Sequence, residues 1–222
     1  MKKIEVSDKI REVASPFKVL QIEAKVKNVP TSDELWEEIE KAGEVLKKEF
    51  ELQALNKRPS IAATRRVYKQ LGKDPNRYRP SAEALGRRII NDKGIYRLSS
   101  LIDIINLISI KTGYSIGGFD SSKIEGENLV LDSGRSGEEF NAIGRGPLNI
   151  EGLPVYRDGK GGIGTPTSDE ERTKITEETT ELLMLVNIYG EEASPMEVET
   201  HTRELLEKYA GLQTFDAKLL EF

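Results

Sequence analysis

The chain has 222 residues, of which 37% are hydrophobic and 32% are charged, and its formal net charge is −5. This balance supports a packed core under a polar surface and argues against a disordered chain, a coiled coil and a membrane protein. The sequence contains no cysteine and one histidine. That composition argues against disulfides and thiolate or multi-histidine metal centres, and it favours an intracellular, cytoplasmic protein.

The charge is distributed unevenly along the chain. Residues 57–99 carry 12 Lys/Arg and 3 Asp/Glu, whereas residues 100–222 carry 11 and 23. Phosphates respond to the local field rather than to the total charge. A basic segment on an acidic chain therefore keeps a nucleic-acid partner among the candidates.

The first predicted elements are a strand and a helix. Residues 17–29 are dense in β-formers and predict a strand. Thr31 and Glu34 have the spacing of a capping box for the helix that follows. Apolar residues then recur at helical intervals: Leu35, Ile39, Ala42, Leu46 and Phe50. We expect this extension, residues 17–54, to add to the edge of the main domain.

Two short helices are predicted inside the basic segment. Pro59 fits a helix start and Gly72 a helix end, so the first helix spans residues 59–71. A loop rich in turn residues follows it. The second helix spans residues 81–90.

Residues 98–112 form the most informative predicted helix. Apolar residues surround it, so we expect it to be largely buried. Its polar residues Ser99, Asp103 and Asn106 lie at i, i+4 and i+7 and share one face. Because a buried polar stripe must be hydrogen-bonded, it either ties down neighbouring loops or faces a ligand in a cleft.

The pattern beyond this helix is typical of β-structure. Short strands are predicted at residues 129–131 and 153–156, and the apolar run 182–189 predicts a central strand. A last helix is expected over residues 195–209, with Ser194 as its N-cap.

Two glycine-containing segments are similar to functional motifs. Residues 113–117 match G-x-S-x-G, but a predicted helix precedes them and a strand follows, which is the reverse of a nucleophile elbow. The single candidate base, His201, is expected on a solvated helix. Residues 159–164 neither end in Gly-Lys-Ser/Thr nor open a helix, which favours a hairpin tip over a phosphate loop. Residues 165–173 are rich in hydroxyls and carboxylates, so they can line a polar pocket or form a solvated turn.

Four segments together resemble a known family. Residues 98–107, Leu-Ser-Ser-Leu-Ile-Asp-Ile-Ile-Asn-Leu, resemble the Asn-Asn-Val-Val-Asp-Val-x-Asn-Tyr helix of the phenylalanyl-tRNA synthetase beta chain. Residues 113–124 resemble its Gly-Gln-Pro-x-His-Ala-Phe-Asp-x-x-Lys-Ile segment at the same spacing. Residues 77–81 and 164–173 resemble free-standing members of that superfamily. The resemblance covers residues 57–212 and concerns the B-three/four domain, which binds tRNA and houses an editing site.

The resemblance implies a pocket that hydrolyses a wrongly attached amino acid from tRNA. Polar groups in such a pocket separate two amino acids that differ by one hydroxyl, because the analogue without it leaves them unpaired. The pocket residues expected here are Ser99, Ser100, Asp103, Asn106, Ser115, Gly117, Thr167, Asp169, Glu171 and Arg172. The residues expected to contact RNA phosphates are Arg65, Arg66, Arg77, Arg79, Arg87 and Arg88.

One position departs from the family pattern. Gly117 stands where the synthetase has its editing-site histidine, so a mechanism that uses that histidine is excluded and no catalytic residue is assigned. The family's pocket glutamate corresponds to one of Asp169, Glu170 and Glu171, and the sequence leaves that choice open.

We therefore expect a single α+β domain over residues 1–222, with mixed or antiparallel sheets in layers, flanking helices and an editing-like core at residues 57–212. The leading hypothesis is an RNA-binding protein that binds the acceptor end of a tRNA and hydrolyses a mischarged aminoacyl ester in trans. The alternatives are a non-catalytic module for tRNA or a free amino acid, and a scaffold or partner subunit. No metal, cofactor or membrane partner is expected, and the oligomeric state is left open.

Overall fold

A computed structural model describes residues 1–222 and contains six α-helices and ten β-strands. The helices are α1 (Asp8–Ala14), α2 (Asp33–Glu49), α3 (Pro59–Gln70), α4 (Ser81–Ile90), α5 (Ser100–Thr112) and α6 (Pro195–Tyr209). The strands are β1 (Lys3–Val6), β2 (Lys18–Lys25), β3 (Ile116–Asp120), β4 (Asn128–Ser133), β5 (Asn141–Ala142), β6 (Gly146–Pro147), β7 (Pro154–Arg157), β8 (Gly162–Gly164), β9 (Glu181–Ile188) and β10 (Thr214–Glu221). None of the helices combines the length and the apolar character needed to cross a membrane.

Eight strands form two four-stranded sheets. The first has the order β1-β4-β7-β8, in which β1 and β4 are parallel and the other pairs antiparallel. The second has the order β10-β2-β9-β3 and is antiparallel throughout. Strands β5 and β6 form a small separate hairpin. The predicted α+β class with mixed and antiparallel sheets is confirmed.

The second sheet lies between two hydrophobic cores, because successive side chains along a strand point to opposite faces. Ile22 and Met184 belong to a core that includes residues of α2, α4, α5 and α6. Val19 and Leu185 belong to a second core shared with Leu129 and other residues of the first sheet. Helices α2, α4, α5 and α6 therefore cover one face of the second sheet, and the first sheet, together with residues of α1 and α3, covers the other.

Two predictions about this sheet have different outcomes. Strand β9 is internal and almost completely buried, so the predicted central strand is confirmed. Strand β2 is also internal, between β10 and β9, so the strand of the extension that we expected at the edge of the domain does not lie at an edge of its sheet. The edge strand is β10, whose exposed and half-buried side chains give little hydrophobic signal in the sequence.

The predicted capping box of α2 is also wrong. The N-cap is Ser32, whose hydroxyl accepts a hydrogen bond from the backbone N of Leu35 at 3.2 Å. The hydroxyl of Thr31 instead donates to Oδ2 of Asp103 at 2.5 Å. Thr31, which the local spacing assigned to the capping box, therefore forms a long-range hydrogen bond to the buried carboxyl of Asp103 instead.

The helices of the basic segment and the following turn match the sequence closely. Helix α4 has the predicted bounds, and α3 ends one residue before the predicted end. Gly113 adopts φ +69° at the end of α5, a left-handed conformation that glycine adopts without strain. That turn directs the chain from α5 into β3, at the centre of the candidate site.

Candidate functional site

A cleft of about 370 Å³ lies between α4, α5, β3 and the segment that precedes β9. Its apolar walls come from these elements, from the segment before α5 and from the turn between β5 and β6, and they include Leu85, Leu98, Ile102, Ile105, Ile116, Ile143 and Ile175. Three of the predicted pocket residues line it, and these are Asn106, Thr167 and Asp169. Three cations line it as well, and these are Arg88, Arg145 and Lys174. An apolar cavity with few polar groups is the usual form of a small-ligand site.

The meeting of α5 and β3 shapes the cleft. Helix α5 presents Ile102, Ile105 and Asn106 there, which share one side of the helix because they lie three and four residues apart. Gly118 of β3 lies against Ile105, and a Cβ atom at this position would collide with the Ile105 side chain. Glycine here lets the strand approach the helix at this wall of the cleft.

Asp169 is the single carboxyl that lines this cleft. Its Oδ2 accepts a hydrogen bond from the backbone N of Gly118 at 3.1 Å, and no cation pairs with it. Burial raises the pKa of Asp169 to about 7, against a smaller lowering by that hydrogen bond. Gly164 leaves room for the carboxyl, since a Cβ there would lie 2.7 Å from Oδ1. The cleft therefore contains an acid that changes charge near neutral pH.

The neighbouring carboxylates have other partners. Glu170 is buried, and its Oε2 accepts a hydrogen bond from the backbone N of Arg172 at 2.7 Å. Glu171 is exposed and pairs with Lys174. The guanidinium of Arg172 donates to the carboxylate of Asp158 at 2.9 Å. Glu171 and Arg172 therefore do not line the cleft, and of the three neighbouring carboxyls Asp169 is the one that lines it.

The polar residues of α5 are divided between neighbouring loops and the cleft. Asp103 is fully buried, and its Oδ2 accepts from the Thr31 hydroxyl and from the backbone N of Leu98 at 2.9 Å. Burial raises the pKa of Asp103, although these hydrogen bonds act in the opposite direction. Ser100 accepts from the backbone N of Val29 at 3.1 Å. These side chains tie down loops, and one turn further along α5 Asn106 faces the cleft.

Three other predicted pocket residues lie outside the cleft lining. Ser99 holds the N-cap position of α5, but its hydroxyl is buried and has no hydrogen-bond partner. Ser115 is buried and accepts from the backbone N of Ala82 at 3.4 Å. A Cβ at Gly117 would lie 2.7 Å from the Phe119 ring, so this position has no room for a side chain without rearrangement.

Three of the predicted RNA-binding arginines converge on one buried carboxylate. Glu83 is fully buried, and it pairs with Arg65 at 2.8 Å, Arg87 at 2.8 Å and Arg79 at 3.6 Å. Arg65 is itself only 8% exposed and also donates to the side-chain oxygen of Asn76 at 2.7 Å. Arg65 is therefore not part of an exposed basic surface, because its charge is used to balance Glu83.

The other three arginines lie apart from one another. Arg88 lines the cleft, as described above. Arg66 is exposed and lines a different cavity, beside Phe17. Arg77 is exposed, and its guanidinium lies 5.6 Å from the centre of the Tyr78 ring. The basic segment therefore does not fold into one continuous arginine surface.

Sequence reasoning missed the other two cations of the cleft. Arg145 lies in the turn between β5 and β6, is exposed and has no carboxylate partner. Lys174 follows the polar loop, lines the cleft and pairs with Glu171. Both belong to the acidic part of the sequence, where charge counting gives no signal for them.

The histidine lies outside the cleft. His201 is on α6, and its Nε2 lies 3.0 Å from the Lys111 ammonium. Burial and that neighbouring charge lower the pKa of His201. The structure contains no group of three or more His, Asp or Glu side chains arranged to hold a metal ion.

Comparisons with known proteins address the family directly. A family model described as the B3/4 domain matches residues 63–213. An N-terminal fragment of the phenylalanyl-tRNA synthetase beta-subunit from Pyrococcus horikoshii is similar with 14% sequence identity and a TM-score of 0.48. That likeness covers 98% of this chain and 50% of the solved chain, so this chain spans about half the length of the fragment. No curated protein matches the sequence.

Proposed function

The chain belongs to the B3/4 domain family, and we propose that it is a cytoplasmic protein that binds the aminoacylated 3′ end of a tRNA and hydrolyses a mischarged ester in trans. In this proposal the amino-acid side chain enters the cleft between α4, α5 and β3. The ester lies near Asp169, and the terminal phosphates lie near the cations at the cleft.

The chemistry of the cleft lining is the observation that carries the proposal. Its isoleucine and leucine walls suit an apolar or aromatic side chain, and Asn106 and Thr167 offer hydrogen bonds to a polar group on it. Arg88 and Arg145 place positive charge at the same cleft, which suits the phosphates that adjoin an aminoacyl ester. One cavity thus combines the two recognition chemistries that an aminoacyl-tRNA end requires.

Asp169 supplies the proton-transfer chemistry in this proposal. With a pKa of about 7, a large fraction of its carboxyl is ionised at neutral pH and can accept a proton from water. The water oxygen bonds to the ester carbonyl carbon while its proton moves to Asp169. The proton then passes to the ribose oxygen as the ester C–O bond breaks, which regenerates the carboxylate.

Deacylation assays test this reaction. The substrates are tRNAs charged with correct and incorrect amino acids, including tyrosine on a phenylalanine tRNA. We expect hydrolysis of at least one mischarged tRNA, a rate that rises with pH through about 7, and a loss of about 100-fold or more in Asp169→Asn. Asp216→Asn, a matched change at an exposed position of β10, leaves the rate unchanged. Absence of hydrolysis with every substrate would refute the enzymatic part of the proposal.

A second candidate function is non-catalytic binding of tRNA or an amino acid. The observation that favours it is the absence of an imidazole from the cleft, since Gly117 replaces the expected histidine and His201 lies on α6. A thermal-shift screen with amino acids, beside filter binding with uncharged and charged tRNA, distinguishes the two functions. Saturable binding without turnover supports this second function.

A further inference from the structure

The segment between α4 and α5 exposes an aromatic side chain beside the cleft. Tyr96 is 70% exposed, and it is the one aromatic residue among the exposed large hydrophobic side chains. Leu98, two residues further along, is 57% exposed and lines the cleft. Because two residues of chain span at most about 7 Å, the backbone of Tyr96 lies close to this part of the cleft lining.

Arg88 connects this ring to the cleft. Its guanidinium carbon lies 5.0 Å from the centre of the Tyr96 ring, and its Nε donates to the backbone oxygen of Gly94 at 3.1 Å. The same arginine lines the cleft and forms no ion pair with a carboxylate. Its charge is therefore available to an anion that lies beside the tyrosine ring.

The surroundings of Tyr96 carry further positive charge. Lys93 is exposed and precedes it in the same segment, and Arg145 lies at the same cleft without a carboxylate partner. An exposed aromatic ring among cations fits single-stranded nucleic acid, because bases stack on the ring while the backbone phosphates meet the cations. This charge complementarity favours a nucleic-acid strand over an uncharged apolar surface as the occupant.

We propose that Tyr96 is a stacking platform for an unpaired base of the RNA strand that enters the cleft, with Arg88 contacting the phosphate of that nucleotide. This inference rests on the proposed function and adds to it a contact to a base outside the amino-acid pocket. Stacking is tolerant of base identity, since every base offers a π-face. The contact therefore contributes affinity for the single-stranded end rather than recognition of one tRNA.

Binding measurements with two matched RNAs test the stacking contact. One is an uncharged tRNA with its complete 3′ end, and the other is the same tRNA with abasic riboses at its unpaired 3′ nucleotides. We expect Tyr96→Ala to weaken binding of the complete tRNA by about 5- to 150-fold, the range of one stacked base. Tyr96→Phe retains binding because stacking requires the ring and not the hydroxyl, and Tyr96→Trp retains or strengthens it.

The abasic tRNA and a control variant make the result specific. Met196→Ala removes a side chain of similar exposure, 74%, on α6 and leaves binding unchanged. The wild-type protein loses affinity for the abasic tRNA, and Tyr96→Ala causes no further loss there. If wild type binds both tRNAs equally and Tyr96→Ala has no effect, the stacking contact is refuted while tRNA binding stands. If wild type binds neither RNA, the proposed function fails and the stacking inference fails with it.

Discussion

At the scale of single residues, Asp169 shows how position changes the chemistry of an ordinary side chain. Its sequence neighbours Glu170 and Glu171 are also acidic, yet one accepts a local backbone hydrogen bond and the other pairs with a lysine. Asp169 lies in the cleft with one backbone hydrogen bond and no ion pair to a cation, so burial raises its pKa to about 7. A carboxyl in this environment suits acid–base work near neutral pH.

The raised pKa of Asp169 predicts a pH-dependent stability difference. The unfolded chain ionises this carboxyl near its ordinary pKa of 3.8, whereas the folded chain holds the proton until the pH approaches about 7. The folded state thus binds the extra proton in this window, and wild-type stability falls as the pH rises through it. Asp169→Asn does not titrate, so its free energy of unfolding relative to wild type rises over this window by a few kcal/mol.

Urea denaturation measures this difference at about pH 5, pH 6 and pH 8. Asp216→Asn serves as the control, because this exposed residue forms no ion pair or side-chain hydrogen bond and gives no trend. A constant difference between Asp169→Asn and wild type at all three pH values would show that the folded state does not hold the proton.

At the scale of elements, the buried Glu83 joins α3 to α4. Arg65 of α3 and Arg87 of α4 both lie 2.8 Å from its carboxylate, and Arg79 approaches from the preceding loop. A buried carboxylate is tolerable only with such partners, because ions lose much solvation energy on burial. The cluster fixes α4, which carries Arg88 and Leu85 into the cleft.

Glu83→Gln is expected to destabilise the protein by about 3–5 kcal/mol, because it leaves the buried Arg65 without its charge partner. Chemical denaturation measures this loss. The matched control Glu40→Gln changes an exposed residue of α2 and is expected to stay within about 0.5 kcal/mol of wild type. A loss below about 1 kcal/mol for Glu83→Gln would mean that water solvates the arginine cluster.

At the scale of the whole molecule, the positive charge at the cleft is assembled from distant parts of an acidic chain. Arg88 comes from the basic segment, whereas Arg145 and Lys174 come from the region with 23 Asp/Glu and 11 Lys/Arg. The fold brings the three to one cleft. The fold also directs Arg65 and Arg87 toward Glu83. Of the three cations at the cleft, only Arg88 therefore belongs to the basic segment.

This arrangement predicts a specific salt dependence. Arg145→Gln is expected to weaken tRNA binding and to reduce the slope of log K against log salt concentration by about 1, since one phosphate contact is lost. Filter binding over a range of salt concentrations measures the slope. Lys218→Gln, at an exposed position of β10, is the matched control and leaves the slope unchanged. Equal slopes for wild type and Arg145→Gln would place the phosphates elsewhere.

Five of the six helices, α2 to α6, and the central strand are predicted from the sequence because their signals are local. Helix α4 begins and ends where the predicted one does, Gly113 provides the left-handed turn after α5, and the apolar run at residues 182–189 becomes the internal strand β9. Apolar periodicity and the conformational freedom of glycine act over a few residues, so they can be read along the chain. The family resemblance was likewise carried by short segments, and the match to the B3/4 domain over residues 63–213 confirms it.

Which residues form hydrogen bonds, ion pairs and strand pairs with one another was decided by the tertiary structure alone. The sequence could not show that Thr31 hydrogen-bonds Asp103 rather than capping α2, that β2 lies inside its sheet, or that Arg65 pairs with Glu83. Each outcome depends on residues that are distant in the chain and adjacent in space. Burial makes such pairing decisive, because an unpaired polar group in the interior is costly while the same group in solvent is not. The sequence by itself therefore determined five of the six helices, the central strand, the fold class and the family, and the tertiary structure decided which polar side chains line the cleft.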